Sequence, residues 1–154
     1  MKYLIPIILI CVIVLYFFLP AQKDKDASAE IETVLNNLVS SGQRKDLNVV
    51  MEYFSPDYKD SSGRNYSDVR TMIQNAFNRF DTIEGGYSNL IVSTTEDQNG
   101  DTRTLADLDI WISGTRNEEV YKLLGARDKP ENVNISFESL MLGGWKILSI
   151  EETN

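Results

Sequence analysis

The sequence contains no histidine and a single cysteine among its 154 residues. Histidine is the side chain that most often moves protons near neutral pH, so acid/base chemistry here would have to use carboxylates. The cysteine, Cys11, lies inside an apolar run, and the rest of the chain has no cysteine with which to form a disulfide. The stability of the folded part must therefore come from the packing of its core.

Basic residues are also scarce. Lys2 is one of 15 lysines and arginines, and the 14 that follow it face 23 aspartates and glutamates, which gives this part of the chain a net charge of −9. Nucleic-acid binding depends mainly on cationic contacts to phosphate, and binding of anionic lipid headgroups depends on a basic surface. The composition therefore argues against nucleic acid as a partner and against a generally basic, lipid-binding surface.

Charge is absent altogether from residues 3–19, YLIPIILICVIVLYFFL. Such a run just suffices to cross a hydrocarbon core, for which roughly 17 residues is the lower limit. We predict a transmembrane anchor or uncleaved signal over residues 1–20, embedded in the membrane through residues 3–19. Cleavage after Ala21 would place Leu19 three residues before the cut, where a small residue is expected, and secretion after cleavage is the alternative.

The charges that flank this run favour an extracytoplasmic domain. Lys2 and the amino terminus precede it, and KDKD, with balanced signs, follows it, so the positive-inside rule places the amino terminus in the cytoplasm. We expect a single-pass inner-membrane protein with its domain on the periplasmic side. Cys11 is interpreted as a thiol within the membrane, because Ile10 precedes it and apolar residues follow it, unlike a lipid-modified cysteine at the end of such a run.

Past a polar tether over residues 21–28, helical periodicity dominates the first half of a single domain predicted over residues 29–154. The first helix, within AEIETVLNNLVSSG, is predicted to end at Gly42. Asp46 is predicted to cap the second helix, and Ser67 the third. The apolar faces of the three helices comprise Ile31, Val34, Leu35, Leu38 and Val39; Leu47, Val50, Met51 and Phe54; and Val69, Met72, Ile73, Ala76, Phe77 and Phe80.

The second half alternates polar and apolar residues in the manner of antiparallel strands. Asn99-Gly100 and Gly143-Gly144 each predict a hairpin turn, because these residues tolerate the positive φ that tight turns require. A short helix is predicted between the two hairpins, from Glu118 to Leu124. Helices first and then about four strands predict an α+β fold, in which an antiparallel sheet packs on three helices.

Alternation along two of the strands separates a core face from an outer face. The outer face carries Trp111 beside Asp107 and Asp109 and, on a later strand, Glu138. Trp111 is interpreted either as part of a contact surface or as a rim residue packed on Lys146. The predicted core positions are Ala106, Leu108, Ile110, Ile112, Val133, Ile135, Phe137 and Met141.

The loop FSPDYKDSSGRNYSDVR connects the second and third helices, and with the terminal strand WKILSIEE it resembles the nuclear transport factor 2-like superfamily. The resemblance covers residues 29–152 and implies a cone of curved antiparallel sheet wrapped round helices. It also implies that a homodimer would form through the open sheet face, which Asp107, Asp109 and Glu138 would make partly polar. Within this superfamily the chain looks most like small bacterial exported or membrane-tethered proteins with a Y-x-D-x-x-G loop, here Tyr58, Asp60 and Gly63.

Asp60 has three open interpretations. Its side chain and Gly63 suit a tight turn, because aspartate accepts hydrogen bonds from nearby backbone amides and glycine permits a positive φ. It could instead line a binding pocket. The resemblance also places it near the general base of ketosteroid isomerases, but their oxyanion-stabilising tyrosine would fall near Leu38, where this chain has none.

Three functions follow from these observations. The first is a membrane-tethered, extracytoplasmic, non-catalytic interaction domain with an unknown protein partner. The second is binding of a small apolar ligand in the cone, at a site comprising Tyr58, Asp60, Met72, Phe77 and Trp111. The third is an isomerase-like enzyme that uses Asp60, which requires a raised Asp60 pKa in a closed pocket. No cofactor or metal is expected.

Overall fold

The computed structural model describes residues 27–96, 102–140 and 143–153. The predicted span over residues 3–19, most of the tether and the Asn99-Gly100 turn lie outside these ranges. Within them, the helices are too short or too polar for any to cross a membrane.

Three helices occupy the first half of the described chain: α1 over residues 27–43, α2 over Leu47–Glu52 and α3 over Tyr66–Arg79. Asp46 caps α2 as predicted, its side chain accepting a hydrogen bond from the Val49 amide. The prediction of Ser67 as the cap of α3 was wrong. Asn65 caps α3, because its side chain accepts from the Asp68 amide while the Asp68 carboxylate accepts from the Asn65 amide. This reciprocal pair is a capping box, which satisfies two donors at once.

The second half forms one antiparallel sheet of five strands: β1 over Thr82–Glu96, β2 over Thr102–Arg116, β3 over Glu119–Leu124, β4 over Glu131–Ser139 and β5 over Trp145–Glu152. The order is β1-β2-β4-β5. The first half of β2 pairs with β4, and its second half pairs with β3. The long strand β2 therefore pairs with β1 along one side and with both β4 and β3 along the other.

The helix predicted from Glu118 to Leu124 was wrong, because this segment is strand β3. Asn117 and Glu118 both adopt positive φ, at 51° and 68°, and close a two-residue turn that pairs Arg116 with Glu119. Turns of this geometry match the twist of the strands they join, so the chain folds straight back on β2. The hairpin turn at Asn117-Glu118 therefore makes this segment a strand, although the spacing of its apolar residues had suggested a helix.

The core lies between the inner face of the sheet and the helices. Ile31 and Leu35, one turn apart on α1, are buried with Val50 and Met51 of α2. The predicted inward positions of the strands are buried at Ala106, Leu108, Val133, Ile135 and Phe137, and half-buried at Ile110 and Ile112. Met141 lies outside the described residues.

The apolar stripe of α3 is only partly internal. Val69 and Phe80, at its two ends, are buried, and Phe77 is half-buried against the core. Met72 departs from the prediction, because half of its surface is exposed. Phe80 packs directly on the sheet, where a side chain at Gly114 would come within 2.5 Å of its ring, so only glycine fits beneath it.

Candidate functional site

The loop that carries Asp60 is held against the edge strand β5. The Ser55 amide donates to the Ile147 carbonyl at 2.9 Å, and the Ile147 amide donates to the Tyr53 carbonyl at 2.8 Å. Further along, the Lys59 amide donates to the Leu148 carbonyl at 3.0 Å. The chain before Asp60 therefore continues the sheet by another partial strand, which fixes the position of the loop.

Asp60 closes a tight turn with its backbone. Its amide donates to the Arg64 carbonyl at 3.1 Å, and its carbonyl accepts from the Gly63 amide at 2.9 Å. Gly63 has a φ of 82°, a conformation that glycine adopts without strain. The positive φ of Gly63 is the conformation that the turn interpretation predicted.

The Asp60 side chain is almost completely buried and accepts three hydrogen bonds. One oxygen accepts from the Arg64 amide at 3.0 Å, and the other accepts from Arg64 Nε at 2.6 Å and from the Tyr58 hydroxyl at 3.3 Å. The Arg64 guanidinium is partly exposed, so this ion pair reaches from the interior to the surface. We call Tyr58, Asp60 and Arg64 the Asp60 cluster.

All three pKa values in this cluster are shifted, and that of Arg64 is raised first by its hydrogen bond to Asp60. Burial opposes ionisation of Asp60, but hydrogen bonds from the Arg64 amide and side chain, and the Arg64 charge, outweigh it, so the Asp60 pKa lies below its usual value. Burial and the neighbouring Asp60 carboxylate raise the pKa of Tyr58 to about 12. Asp60 is therefore an anion, and Tyr58 is neutral, across the physiological range.

This arrangement suits a structural ion pair better than proton transfer. A carboxylate general base works best with a pKa near the operating pH, which in carboxylates requires an upward shift. The Asp60 pKa moves downward, and its oxygens are occupied by donors from its own loop. The geometry therefore favours Asp60 as the centre of a turn.

The structure brings together only part of the predicted ligand site. Tyr58 and Asp60 are in direct contact, and Arg64 links them to Met72, with 4.0 Å between Arg64 Nη1 and Met72 Sδ. Phe77 packs against the hydrophobic core. Trp111 is on the outer sheet face, because it alternates along β2 with the inward-facing Ile110 and Ile112. Its partner on β1 is Gly86.

The side chain that packs on Trp111 differs from the Lys146 named in one of the two interpretations of the sequence. The Arg127 guanidinium, not Lys146, lies over its ring, 4.7 Å from the centroid. On the neighbouring strand β1, a Cβ atom at Gly86 would come within 2.9 Å of the indole, so the ring lies close to a glycine. Trp111 is thus half-buried by its own chain.

The rest of the outer sheet face is a polar network. The Asn132 side chain donates to Asp107 at 3.0 Å and to Asp109 at 3.2 Å, and Asn89 donates to Asp109 at 2.7 Å. The hydrogen bond from Asn89 and then that from Asn132 hold the pKa of Asp109 below its usual value. The homodimer expected on this face stays a prediction. Among the described residues, no three histidine, cysteine, aspartate or glutamate side chains are grouped to hold a metal ion.

The pattern of burial reveals a surface that the sequence-based prediction missed. Val120, Tyr121 and Leu123 of β3 are 71%, 37% and 39% exposed. Within the described ranges β3 pairs with β2 only, so its other edge is free. We call this surface the β3 edge. Recognising the Asn117-Glu118 turn would have identified it from the sequence.

The β3 edge is firmly attached to the domain. Tyr121 packs on Phe80, with 5.6 Å between ring centroids, and its hydroxyl donates to Glu119 at 2.7 Å. Lys122 forms an ion pair with Glu131 of β4 at 3.3 Å. The exposed apolar side chains therefore lie on an ordered strand.

Comparison with known proteins gives a fold and no closer relationship. The chain matches no protein-family model and no curated protein sequence. Among solved structures, a nuclear transport factor 2-like superfamily protein from Salmonella enterica superposes with a TM-score of 0.65 at 13% identity, over 84% of this chain and 92% of that one. A Catenulispora acidiphila protein, solved in complex with S-DNPA, gives 0.63 at 13% identity, over 83% and 92%.

A third similar structure belongs to a larger protein. Bd1075 of Bdellovibrio bacteriovorus superposes with a TM-score of 0.62 at 11% identity over 81% of this chain, which spans only 40% of the length of Bd1075. The three similarities show that the domain has the nuclear transport factor 2-like cone fold. At these identities they show the fold alone.

Proposed function

We propose that this chain is a membrane-tethered, extracytoplasmic interaction module that binds an extended segment of a protein partner at the β3 edge. The observation that carries the proposal is the exposure of Val120, Tyr121 and Leu123 on a strand that, among the described residues, pairs along one edge only. The predicted span over residues 3–19 supplies the tether.

A free strand edge has the chemistry to bind an extended peptide. Its unpaired backbone N–H and C=O groups form main-chain hydrogen bonds with an added strand, and alternate side chains supply selectivity. Natural proteins usually protect such edges with charges, prolines or a covering segment. On the β3 edge the apolar side chain of Val120 is 71% exposed. The charge of the neighbouring Lys122 is paired with Glu131.

Tethering suits a binding function of modest affinity. Holding two proteins at one membrane makes their encounter effectively intramolecular and raises their local concentration. A six-residue strand such as β3 can then act without a large interface. The charge of −9 beyond the span disfavours acidic partners.

Site-specific photo-crosslinking in membranes of the native host tests the proposal. A photoreactive residue at Lys122 should give a discrete heterologous adduct, and V120E/L123E in the same chain should reduce its yield at least tenfold. Met72→Glu is the matched control, because Met72 is also an exposed apolar residue but lies on α3. Equal loss of the adduct with Met72→Glu, or an adduct that contains only this chain, would contradict partner binding at the β3 edge.

Binding of a small apolar ligand is the second candidate. The Catenulispora acidiphila protein of the same fold was solved with S-DNPA bound, and in this chain Ile73 and Phe77 are half-buried apolar side chains of α3. Native mass spectrometry of the full chain, before and after extraction with organic solvent, distinguishes the two. A reproducible small-molecule adduct that is lost on extraction would favour the ligand-binding function over the interaction module.

A further inference from the structure

The turn between β4 and β5 presents an apolar side chain at one end of the molecule. Gly143 and Gly144 have φ of 89° and 98°, and the turn is closed by hydrogen bonds between Leu140 and these glycines, both at 2.9 Å. Leu140 is 39% exposed there. The sequence from residue 139 to residue 145 contains no charged side chain.

The start of the described part of α1 lies beside this turn. Trp145, the first residue of β5, donates from Nε1 to Glu30 Oε2 at 2.6 Å. Glu30 is only three residues after Ala27, which is itself buried. The chain that leads from the predicted membrane span therefore enters the domain at the end that carries Leu140.

The length of the connecting chain limits how far this end can lie from the membrane. The predicted span ends at Leu19, and seven residues, 20–26, precede Ala27. A fully extended chain of that length reaches about 25 Å, and a helical one reaches about 11 Å. The turn is thus confined to the neighbourhood of the bilayer surface.

We propose that this end of the domain, with Leu140 and Trp145, rests on the surface of the bilayer that anchors the chain. The inference depends on the tether in the proposed function. Tryptophan is favoured at the membrane interface, where its ring is apolar and its N–H can remain hydrogen-bonded, as the bond to Glu30 allows. Leu140 supplies the apolar contact.

Electrostatic attraction does not drive this contact. The charges next to the turn, Glu138 and Lys146, are paired register neighbours of opposite sign, and Glu30 faces Trp145. With a net charge of −9 beyond the span, the domain is repelled by anionic lipid. The contact should therefore be strongest on a zwitterionic surface and weaken as anionic lipid is added.

Quenching of tryptophan fluorescence by brominated acyl chains tests the contact in the full chain. The chain has two tryptophans, so Trp111→Phe leaves Trp145 as the reporter, and Trp145→Phe leaves Trp111 as the internal control. Trp145 pairs with Ser139 of β4, and the pairing of Phe137 with Thr104 places that level near residue 102 of β2. Trp111 lies nine residues further along β2, about 30 Å away at the usual strand rise. In phosphatidylcholine vesicles we expect brominated lipid to reduce Trp145 emission at least twofold and to leave Trp111 emission unchanged.

A pair of matched variants assigns the contact to this end. In the Trp111→Phe background, Leu140→Ser should remove most of the Trp145 quenching, whereas Val120→Ser, an exposed apolar position at the opposite end, should leave it intact. Equal quenching of both tryptophans, quenching that survives Leu140→Ser, or no quenching in chains that float with the vesicles would overturn the contact and leave the tether standing. Failure of the chain to float with vesicles would overturn both.

Discussion

Asp60 shows how burial and hydrogen bonding decide the role of a single residue. In the sequence it is an aspartate near a position associated with catalysis, and in the structure it is an anion enclosed by Tyr58 and Arg64. The difference is one of electrostatics, because a carboxylate stabilised by three donors loses the basicity that catalysis would need. The sequence showed the turn through Gly63, but it could not show that the Arg64 side chain folds back on Asp60.

We predict that Asp60→Asn lowers the free energy of unfolding by about 2 kcal/mol, because hydrogen bonds to a buried charge contribute roughly 1.5–3 kcal/mol. Denaturant unfolding of the full chain in detergent, followed by tryptophan fluorescence, measures the change. Asp57→Asn is the matched control, since Asp57 is an exposed aspartate of the same loop. If the two variants were equally stable, the Asp60 cluster would have no structural role, and a pocket role for Asp60 would gain support.

Ionisation of Tyr58 should make the stability of the folded chain fall at alkaline pH. Its pKa is raised to about 12 in the folded chain, against 10.0 for a free tyrosine. The raised value means that the neutral phenol stabilises the fold fully below pH 10, and that this stabilisation is lost as the pH rises towards 12. We predict that unfolding measured from pH 9 to pH 12 shows a loss of about 2 kcal/mol assigned to Tyr58.

The control for this pH dependence is Tyr58→Phe, which removes the hydroxyl and keeps the ring that packs edge-on against Phe54. The variant should be less stable at pH 8 and should lose less stability than the native chain between pH 10 and pH 12. Tyr87, whose pKa is raised first by burial, titrates in the same direction and stays in both proteins. Identical slopes in the two proteins would show that Tyr58 is not the titrating group.

At the scale of elements, the sequence predicted those whose signals are local and repeated. The three helices follow apolar spacing, and the inward faces of β2 and β4 follow strict alternation, so Leu108 and Phe137 are buried where expected. The helix predicted for residues 118–124 was wrong because Val120, Leu123 and Leu124 have the spacing of a helical face but lie on a strand. Two residues of positive φ, Asn117 and Glu118, decided the outcome, and glutamate gives little warning of such a conformation.

The candidate site was harder to predict than the fold because its members come from distant parts of the chain. Tyr58 and Asp60 meet because they are neighbours, whereas Trp111 is separated from them by the sheet register, which directs it to the outer face. Periodicity assigns each residue to a face of its own element. It does not say which faces meet, since that depends on the twist and pairing of β2 with three other strands.

At the scale of the whole molecule, the two proposed contact surfaces lie at different ends. The turn between β4 and β5, which carries Leu140, lies at one end with the first described residues of α1. The β3 edge lies at the other end, beside the last residues of β2. Helix α1 alone, over residues 27–43, extends about 25 Å between them. A domain held at its Leu140 end would present the β3 edge away from the bilayer, where a partner could reach it.

This orientation predicts how introduced cysteines react in spheroplasts. The native chain has only Cys11, within the predicted span, and should not react with a membrane-impermeant maleimide. In the proposed extracytoplasmic orientation, Val120→Cys should react rapidly before lysis, because position 120 is 71% exposed and would lie at the end away from the membrane. Leu140→Cys should react at least several-fold more slowly in membranes than in detergent, because in the proposed contact the lipid surface covers it, while Val120→Cys should react equally in both. Reaction of Val120→Cys only after lysis would place the domain in the cytoplasm, and it would remove the periplasmic partner from the proposal while leaving the β3 edge as its binding surface.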